Sequence, residues 1–374
     1  MTVIEIQGVS VAVGGRRLLF GVDLSVRTGE VMGVVGSSGS GKTTLLRLMA
    51  GLTAPSEGAV RFGGAAAVPS GFVTMALQDD PVYTNRDVAG NLGFPLDMAR
   101  SHRPEDRAER IERTARRMGL WRILARRSDQ LSSGERAAVS VGRALVGDRA
   151  QFVLLDEPLS KADVRRREGL RDLLRSFRAE RPDIGIVIAS NDQNDLIGLV
   201  DRLVVMADGA IAQIGTPAEL YDRPLDTRVA GFLGSPPMNL FPSVVDRWNG
   251  RLAFAIGTDH IDLDAASPEE DVPQHLLGRR VVVGVRPEHL TRAAPGTPFG
   301  RVLHATVGWV EEPTGVVWFG LGSVPAMAYA TLSRAGERWS SGDRLELTWA
   351  PDKTRIFDAE SGRAIPKSIV GSAD

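Results

Sequence analysis

The chain has 374 residues, 43% hydrophobic and 24% charged, with 45 Lys and Arg against 46 Asp and Glu for a net charge of -1. That length accommodates two or three compact domains, and the charge balance excludes both a strongly basic nucleic-acid binder and a chain too polar to fold. With no cysteine, disulfides, thiolate metal sites and thiol catalysis are excluded, so metal chemistry must come mainly from oxygen ligands.

The N-terminus MTVIEIQGVS lacks the basic and apolar regions of a secretory signal, and no run approaches the roughly 20 apolar residues that cross a bilayer, so the expected place is the cytoplasm. Ile4 to Gln7 alternate apolar and polar, Gly14-Gly15 marks a turn, and Leu18 to Val26 resumes the pattern of a small antiparallel sheet. After the Thr28-Gly29-Glu30 turn, Val31 to Val35 reads as a short buried strand, followed by a Gly/Ser loop and a helix over Thr44 to Leu52. The loop is Gly36-Ser37-Ser38-Gly39-Ser40-Gly41-Lys42-Thr43, a phosphate-loop pattern in the strand-loop-helix setting that pattern needs. Its glycines let backbone N–H groups turn toward phosphates, Lys42 supplies a compact cation, and the Thr43 hydroxyl can ligate Mg²⁺. Lysine occurs only at 42, 161, 353 and 367, the other 41 cations being Arg, so position 42 has kept a point charge where the chain otherwise uses guanidinium.

From Arg103 to Arg127 the chain is dense in Arg and Glu, with Ile111, Ala115, Met118 and Trp121 at helical spacing, which predicts a largely exposed helical region. Leu131-Ser132-Ser133-Gly134-Glu135-Arg136 then leads into a helix over Ala137 to Val146, and by itself reads as an ordinary N-cap. Phe152 to Leu155 is a buried strand ending in Asp156-Glu157, two carboxylates that need a cation or a proton to handle, or else a solvated turn. Ile184 to Ala189 and Leu203 to Met206 are further strands, and the α/β core ends near Leu233. Gly234 to Pro237 breaks the pattern, after which short β-like runs such as Arg280 to Val285 and Arg344 to Trp349 indicate a second, β-rich domain.

Taken in order, these motifs resemble those of ABC ATPases. Residues 131–136 look like the signature segment, Gln78 in Leu77-Gln78-Asp79 like the Q-loop glutamine, and Ser160 to Asp163 like the D-loop. Gly231 to Asn239, Gly284 to His289 and Ile356 to Asp358 with Ser361-Gly362 resemble the C-terminal extension of carbohydrate-importer ATPases of the maltose and glycerol-phosphate type, so the resemblance covers essentially the whole chain. It implies an α/β fold: an ABC ATP-binding domain over 1–235, with a parallel-sheet core, an antiparallel β subdomain and a helical subdomain at about 83–147, then an OB-like β-barrel regulatory domain over 236–374. It also implies ATP and Mg²⁺ as ligands and transport-coupled hydrolysis. Nucleotide would be held by Val13 at the adenine position, by Gly36, Ser37, Ser38, Gly39, Ser40, Gly41, Lys42, Thr43 and Thr44, by Asp163 of the D-loop, and, from the opposite subunit, by the signature residues Ser132, Ser133, Gly134 and Glu135. Thr43, Gln78 and Asp156 would serve the metal, and Glu157, Gln78 and the residue at 191 the hydrolysis. The implied partners are a second ATPase subunit, membrane permease subunits that dock near Asp80 to Asn91, and indirectly an extracytoplasmic solute-binding protein, with no nucleic acid. The implied location is peripheral, on the cytoplasmic side of the cell membrane. His289 reads as a structural histidine rather than a ligand.

Three positions depart from that pattern. Asn191 stands where the family places a switch histidine, Val13 where it stacks an aromatic on adenine, and Ser133 where it has the first glycine of the signature pair. An amide can donate a hydrogen bond but cannot relay a proton as imidazole does, so hydrolysis at this site is expected to be slow. The expectation is a dimer with a different, intact ATPase; the alternatives are a slow homodimer serving another small solute and a soluble ABC ATPase outside transport.

Overall fold

The alternation of the first residues becomes a hairpin: β1 (Val3–Val13) pairs antiparallel with β2 (Arg16–Arg27) across Gly14-Gly15. This computed structural model describes residues 2–78, 82–99, 104–147, 149–160, 164–262, 276–311, 314–321, 324–332 and 339–365. Next come β3 (Val31–Val35), α1 (Lys42–Met49), β4 (Glu57–Phe62) and β5 (Val73–Ala76). Three helices follow, α2 (Val88–Ala99), α3 (Pro104–Arg117) and α4 (Ser133–Leu145), before β6 (Phe152–Asp156), α5 (Val164–Glu180), β7 (Gly185–Ser190), β8 (Arg202–Ala207) and β9 (Ala210–Gly215). The chain divides into two compact units, 1–219 and 220–374.

In the first unit a three-stranded antiparallel sheet, β2-β1-β4, shares a core with a six-stranded sheet of order β5-β6-β7-β3-β8-β9. All pairs of the larger sheet are parallel except β8 with β9. β3, β6 and β7 are buried at every residue, which is why they read as apolar runs without alternation. Their register aligns the strand ends. Val35 pairs with Ser190 and Asp156 with Ala189, so Gly36, Glu157 and Asn191 leave neighbouring strands at the same edge of the sheet.

The helical segment has its own core, in which Leu92 and Leu96 of α2 meet Ile111 and Ala115 of α3 and Val139 of α4. Trp121 does not continue that face as its spacing predicted. α3 stops at Arg117, and Trp121 begins a 3₁₀ turn, 46% exposed, with the Arg116 and Arg122 guanidiniums 5.5 and 4.9 Å from its ring centre. α4 starts at Ser133, four residues before the Ala137 expected, because Ser132 and Glu135 form a reciprocal capping box, Ser132 Oγ accepting from Glu135 N (3.2 Å) and Glu135 Oε2 from Ser132 N (2.8 Å). Removing the hydroxyl with Ser132→Ala is expected to destabilise the chain by about 1 kcal/mol, read as a lower urea midpoint at unchanged slope.

α6 (Pro217–Asp222) spans the division, and α7 (Thr227–Phe232) belongs to the second unit. The division falls ahead of the Gly234 to Pro237 break because Ala230 packs with Met238 and Phe357, and Thr227 N donates to Gly362 O at 2.9 Å. Among the described residues ten strands follow: β10 (Asn239–Trp248), β11 (Arg251–Ile256), β12 (Asp259–Asp262), β13 (Arg280–Val285), β14 (Thr291–Arg292), β15 (Leu303–Glu311), β16 (Val316–Leu321), β17 (Val324–Thr331), β18 (Arg344–Thr348) and β19 (Arg355–Asp358). They form two antiparallel sheets, β12-β11-β10-β13-β19 and β14-β18-β15-β16-β17, around one core that includes Phe241, Val283, Leu303, Phe319 and Leu347.

Candidate functional site

The loop after β3 curls because of its glycines. Gly36 has φ +153°, and a Cβ there would lie 2.3 Å from Met206 O and 2.7 Å from Ser40 Oγ, so no larger residue fits without moving backbone. The curl folds the loop around Lys42, which is 4% exposed. Its Nζ donates to Gly36 O and Ser37 O, both at 2.9 Å, and to Asn191 Oδ1 at 2.6 Å. Burial pulls the Lys42 pKa below its ordinary value, against the opposing pull of Glu157 and Asp156. No side chain caps α1 at Gly41, the arrangement in which a helix N-terminus can serve an anion.

β6 delivers the two carboxylates differently. Asp156 is 2% exposed at the strand end. Glu157 has left the strand with φ +49°, an uncommon conformation for a residue with a side chain, held by its N–H donating to Ala189 O at 3.0 Å. Two carboxamides grip its carboxylate: Gln78 Nε2 donates to Oε2 at 2.9 Å and Asn191 Nδ2 donates to Oε1. Burial raises the Glu157 pKa most, and Asp156 adds to it, while Lys42 and the Asn191 bond work the other way. Asn191 is itself set by the turn after β7, where Ser190 Oγ donates to Asp195 Oδ2 (2.8 Å) and accepts from Asp192 N (3.0 Å). A continuous polar chain therefore runs from the glycine loop through Lys42, Asn191 and Glu157 to Gln78.

This chain borders a cavity of about 620 Å³ lined by Ser38, Gly39, Gly41, Lys42, Thr43, Thr44, Gln78, Glu157 and Asn191, a size within the usual range for small-molecule sites. Arg16, Arg17, Leu18 and Phe20 of β2, with Asp208 and Gly209 of the β8–β9 turn, complete the wall. Sequence reasoning missed these. The Asp-Gly pair between two apolar strands is a legible turn signal, but its approach to the loop is tertiary, through Gly209 N donating to Ser40 O at 3.1 Å.

Val13, expected at the adenine position, is outside that wall. It is the last residue of β1, paired with Arg16 at the hairpin turn and 58% exposed. The signature residues are also elsewhere: Ser132 and Glu135 cap α4, Ser133 lines a separate cavity of about 420 Å³ with Gln78 and Glu157, and Gly134 and Glu135 line a groove beside Leu170. A single chain does not bring them to its own phosphate loop. Asp79, Asp80, Lys161 and Asp163 lie outside the described residues.

Among the described residues no three His, Asp or Glu side chains gather as a ready metal cage. The buried Asp156 lines one cavity with Gln78, and Thr43 lines the other with the same glutamine; these are oxygen donors of the kind Mg²⁺ takes, since it binds through one or two protein oxygens together with substrate phosphates. The donor set fits that ion.

Residues 19–160 match the family model described as ABC transporter, and residues 234–290 the model described as MalK OB fold domain. The chain is 36% identical to the sn-glycerol-3-phosphate import ATP-binding protein UgpC of Cereibacter sphaeroides, over 98% of this chain and 100% of that one. It is 34% identical to the sulfoquinovosyl glycerol transport ATP-binding protein SmoE of Agrobacterium fabrum, over 98% and 100%. A solved ATP-binding subunit of an ABC transporter shares the fold at TM-score 0.52 and 20% identity, covering 58% of this chain and 91% of its own.

Proposed function

The chain belongs to the ABC transporter ATP-binding family, and from that premise we propose that it powers import of a sugar phosphate, polyol or carbohydrate as one half of an ATPase dimer. It is an ATP hydrolase of the ABC type. The observation that carries the reading is the Lys42–Asn191–Glu157–Gln78 chain along one cavity, since phosphoryl transfer needs phosphate charge and a water-orienting base held in one frame. Lys42 and the amides at the start of α1 take the phosphates. Thr43, Asp156 and Gln78 would hold Mg²⁺, which when bound would supply positive charge to the phosphate oxygens. Glu157, whose hold on a proton is strengthened by burial, orients the attacking water and accepts its proton. Ser132, Ser133, Gly134 and Glu135 act on the nucleotide of a second subunit, which agrees with their placement away from the loop of their own chain.

The similarity to importer ATPases over nearly the whole length supports the solute class and the permease partners. Among the described residues no helix is long and apolar enough to cross a membrane, so attachment at the inner face of the cell membrane rests on docking to permease subunits. Affinity purification of the tagged chain from detergent-solubilised membranes is expected to recover integral membrane subunits, and cells lacking the chain to lose uptake of sn-glycerol 3-phosphate or a related polyol. Recovery of the chain free of membrane subunits from both membrane and soluble fractions points instead to a soluble ATPase.

Asn191 carries the finer part of the proposal, a slow site. Its amide joins Lys42 to Glu157 but offers no group that titrates near neutral pH. Asn191→His is expected to raise turnover of the purified chain about tenfold or more, the scale of one transition-state hydrogen bond. Unchanged or lower turnover sinks the slow-site claim. Mixing the native chain with a histidine-bearing ATPase of the same transporter, and finding a rate above the sum of the two, supports a mixed dimer over a pair of identical chains.

A further inference from the structure

The phosphate machinery accounts for only part of the cavity. Glu157, Gln78, Asn191, Lys42 and the start of α1 supply its polar lining, and β2 with the β8–β9 turn supplies the remaining wall, which is the part left for the sugar and base of a nucleotide. Among the described residues in that wall, Phe20 carries the aromatic ring, and the residue is 43% exposed. Its place is fixed rather than accidental. Phe20 N donates to Gly209 O at 3.0 Å, and Gly209 N donates in turn to Ser40 O at 3.1 Å, which ties the strand and the turn to the phosphate loop. Gly209, at φ +78°, leaves the space the ring uses, because a Cβ there would lie 2.8 Å from Phe20 Cδ2. Along the same strand, Leu18 O and the Leu19 side chain come within 3.3 and 2.8 Å of where a Gly41 Cβ would be, so β2 runs directly beside the loop that takes the phosphates.

We propose that Phe20 is the base-stacking residue of this site, giving the purine the aromatic face that Val13 lacks. The proposal deepens the nucleotide reading above and rests on it. An open phenyl ring beside a phosphate site is poorly hydrated until a flat apolar partner covers it. Stacking uses the π-face that every base has, so the ring holds adenine and guanine with little discrimination.

The test uses the full chain and titrates ADP, GDP and inorganic pyrophosphate, the last having phosphates but no base. Phe20→Ala is expected to weaken ADP and GDP about tenfold, the loss of one base–aromatic stack, and to leave pyrophosphate unchanged. Phe20→Trp is expected to restore ADP affinity and to gain a nucleotide-dependent change in emission. Equal weakening of ADP and pyrophosphate in Phe20→Ala, or no weakening of either, overturns the proposal. A native chain that binds pyrophosphate and ADP equally well removes the base contact altogether, and one that binds neither removes the nucleotide site on which the proposal stands.

Discussion

Glu157→Gln is expected to lower the kcat of ATP hydrolysis by about 10²- to 10⁴-fold, the usual scale for a removed general base, while nucleotide affinity stays within about twofold of native. The amide keeps the shape of the carboxylate and loses its capacity to take a proton, so the loss falls on the chemical step. A kcat loss below tenfold places the base elsewhere. The same variant reports on stability. Because the native pKa of Glu157 is raised above its ordinary value of 4.5, chiefly by burial and net of the attraction of Lys42, the stability linked to its protonation is fully present below that ordinary value and is lost as pH rises through the native one. Glu157→Gln, which behaves as a permanently protonated side chain, therefore raises the melting midpoint near pH 7.5. The gain shrinks on acidification and is absent at pH 4. A gain that grows on acidification contradicts the raised pKa.

Arg286→Ala is expected to destabilise the β-rich unit by about 3 kcal/mol or more. Arg286 lies in the Gly284 to His289 segment that the sequence singled out and is 2% exposed. Its guanidinium donates to Tyr221 O at 2.7 Å, to Ala230 O at 3.3 Å and to Leu233 O, and sits 3.8 Å from the Tyr221 ring centre. Truncation leaves three carbonyls without that donor and strips the ring of its cation. Tyr221 is itself fixed by donating to Glu288 Oε1 at 2.6 Å, with a pKa pushed up to about 12 by burial and by that carboxylate. Urea unfolding of the full chain, followed by tryptophan emission, measures the loss. A change below about 1 kcal/mol would mean that water or rearranged backbone replaces the guanidinium. Arg286→Lys keeps the charge but not the fork, and is expected to recover less than half.

The legible parts of the site are those whose chemistry is local. A strand buried on both faces reads as an apolar run, a phosphate loop carries its glycines and lysine within eight residues, and a carboxylate pair terminates its own strand; each is a property of a short segment. The N-terminal reach of α4 escapes a reading by apolar spacing because its first turn is polar, held by the Ser132–Glu135 capping box. Trp121 falls outside its expected place because helical spacing does not announce where a helix stops; its exposed ring is flanked instead by the Arg116 and Arg122 guanidiniums. Val13 is assigned by position in a motif, and a strand's last residue at a hairpin can face either way.

The sequence by itself determined the family, the α/β character of the first unit and the β-rich second, and singled out Lys42, Asp156 and Glu157 as candidate charged groups. Tertiary structure decided how they work together. Lys42 meets Asn191 across 149 residues and Gln78 meets Glu157 across 79, contacts that no local periodicity encodes. They arise because the sheet order places β6, β7 and β3 side by side out of sequence order, and the register of those strands brings Glu157, Asn191 and Gly36 out at one edge. The same packing, through the Ser40–Gly209–Phe20 bonds, set an aromatic ring beside the phosphate loop.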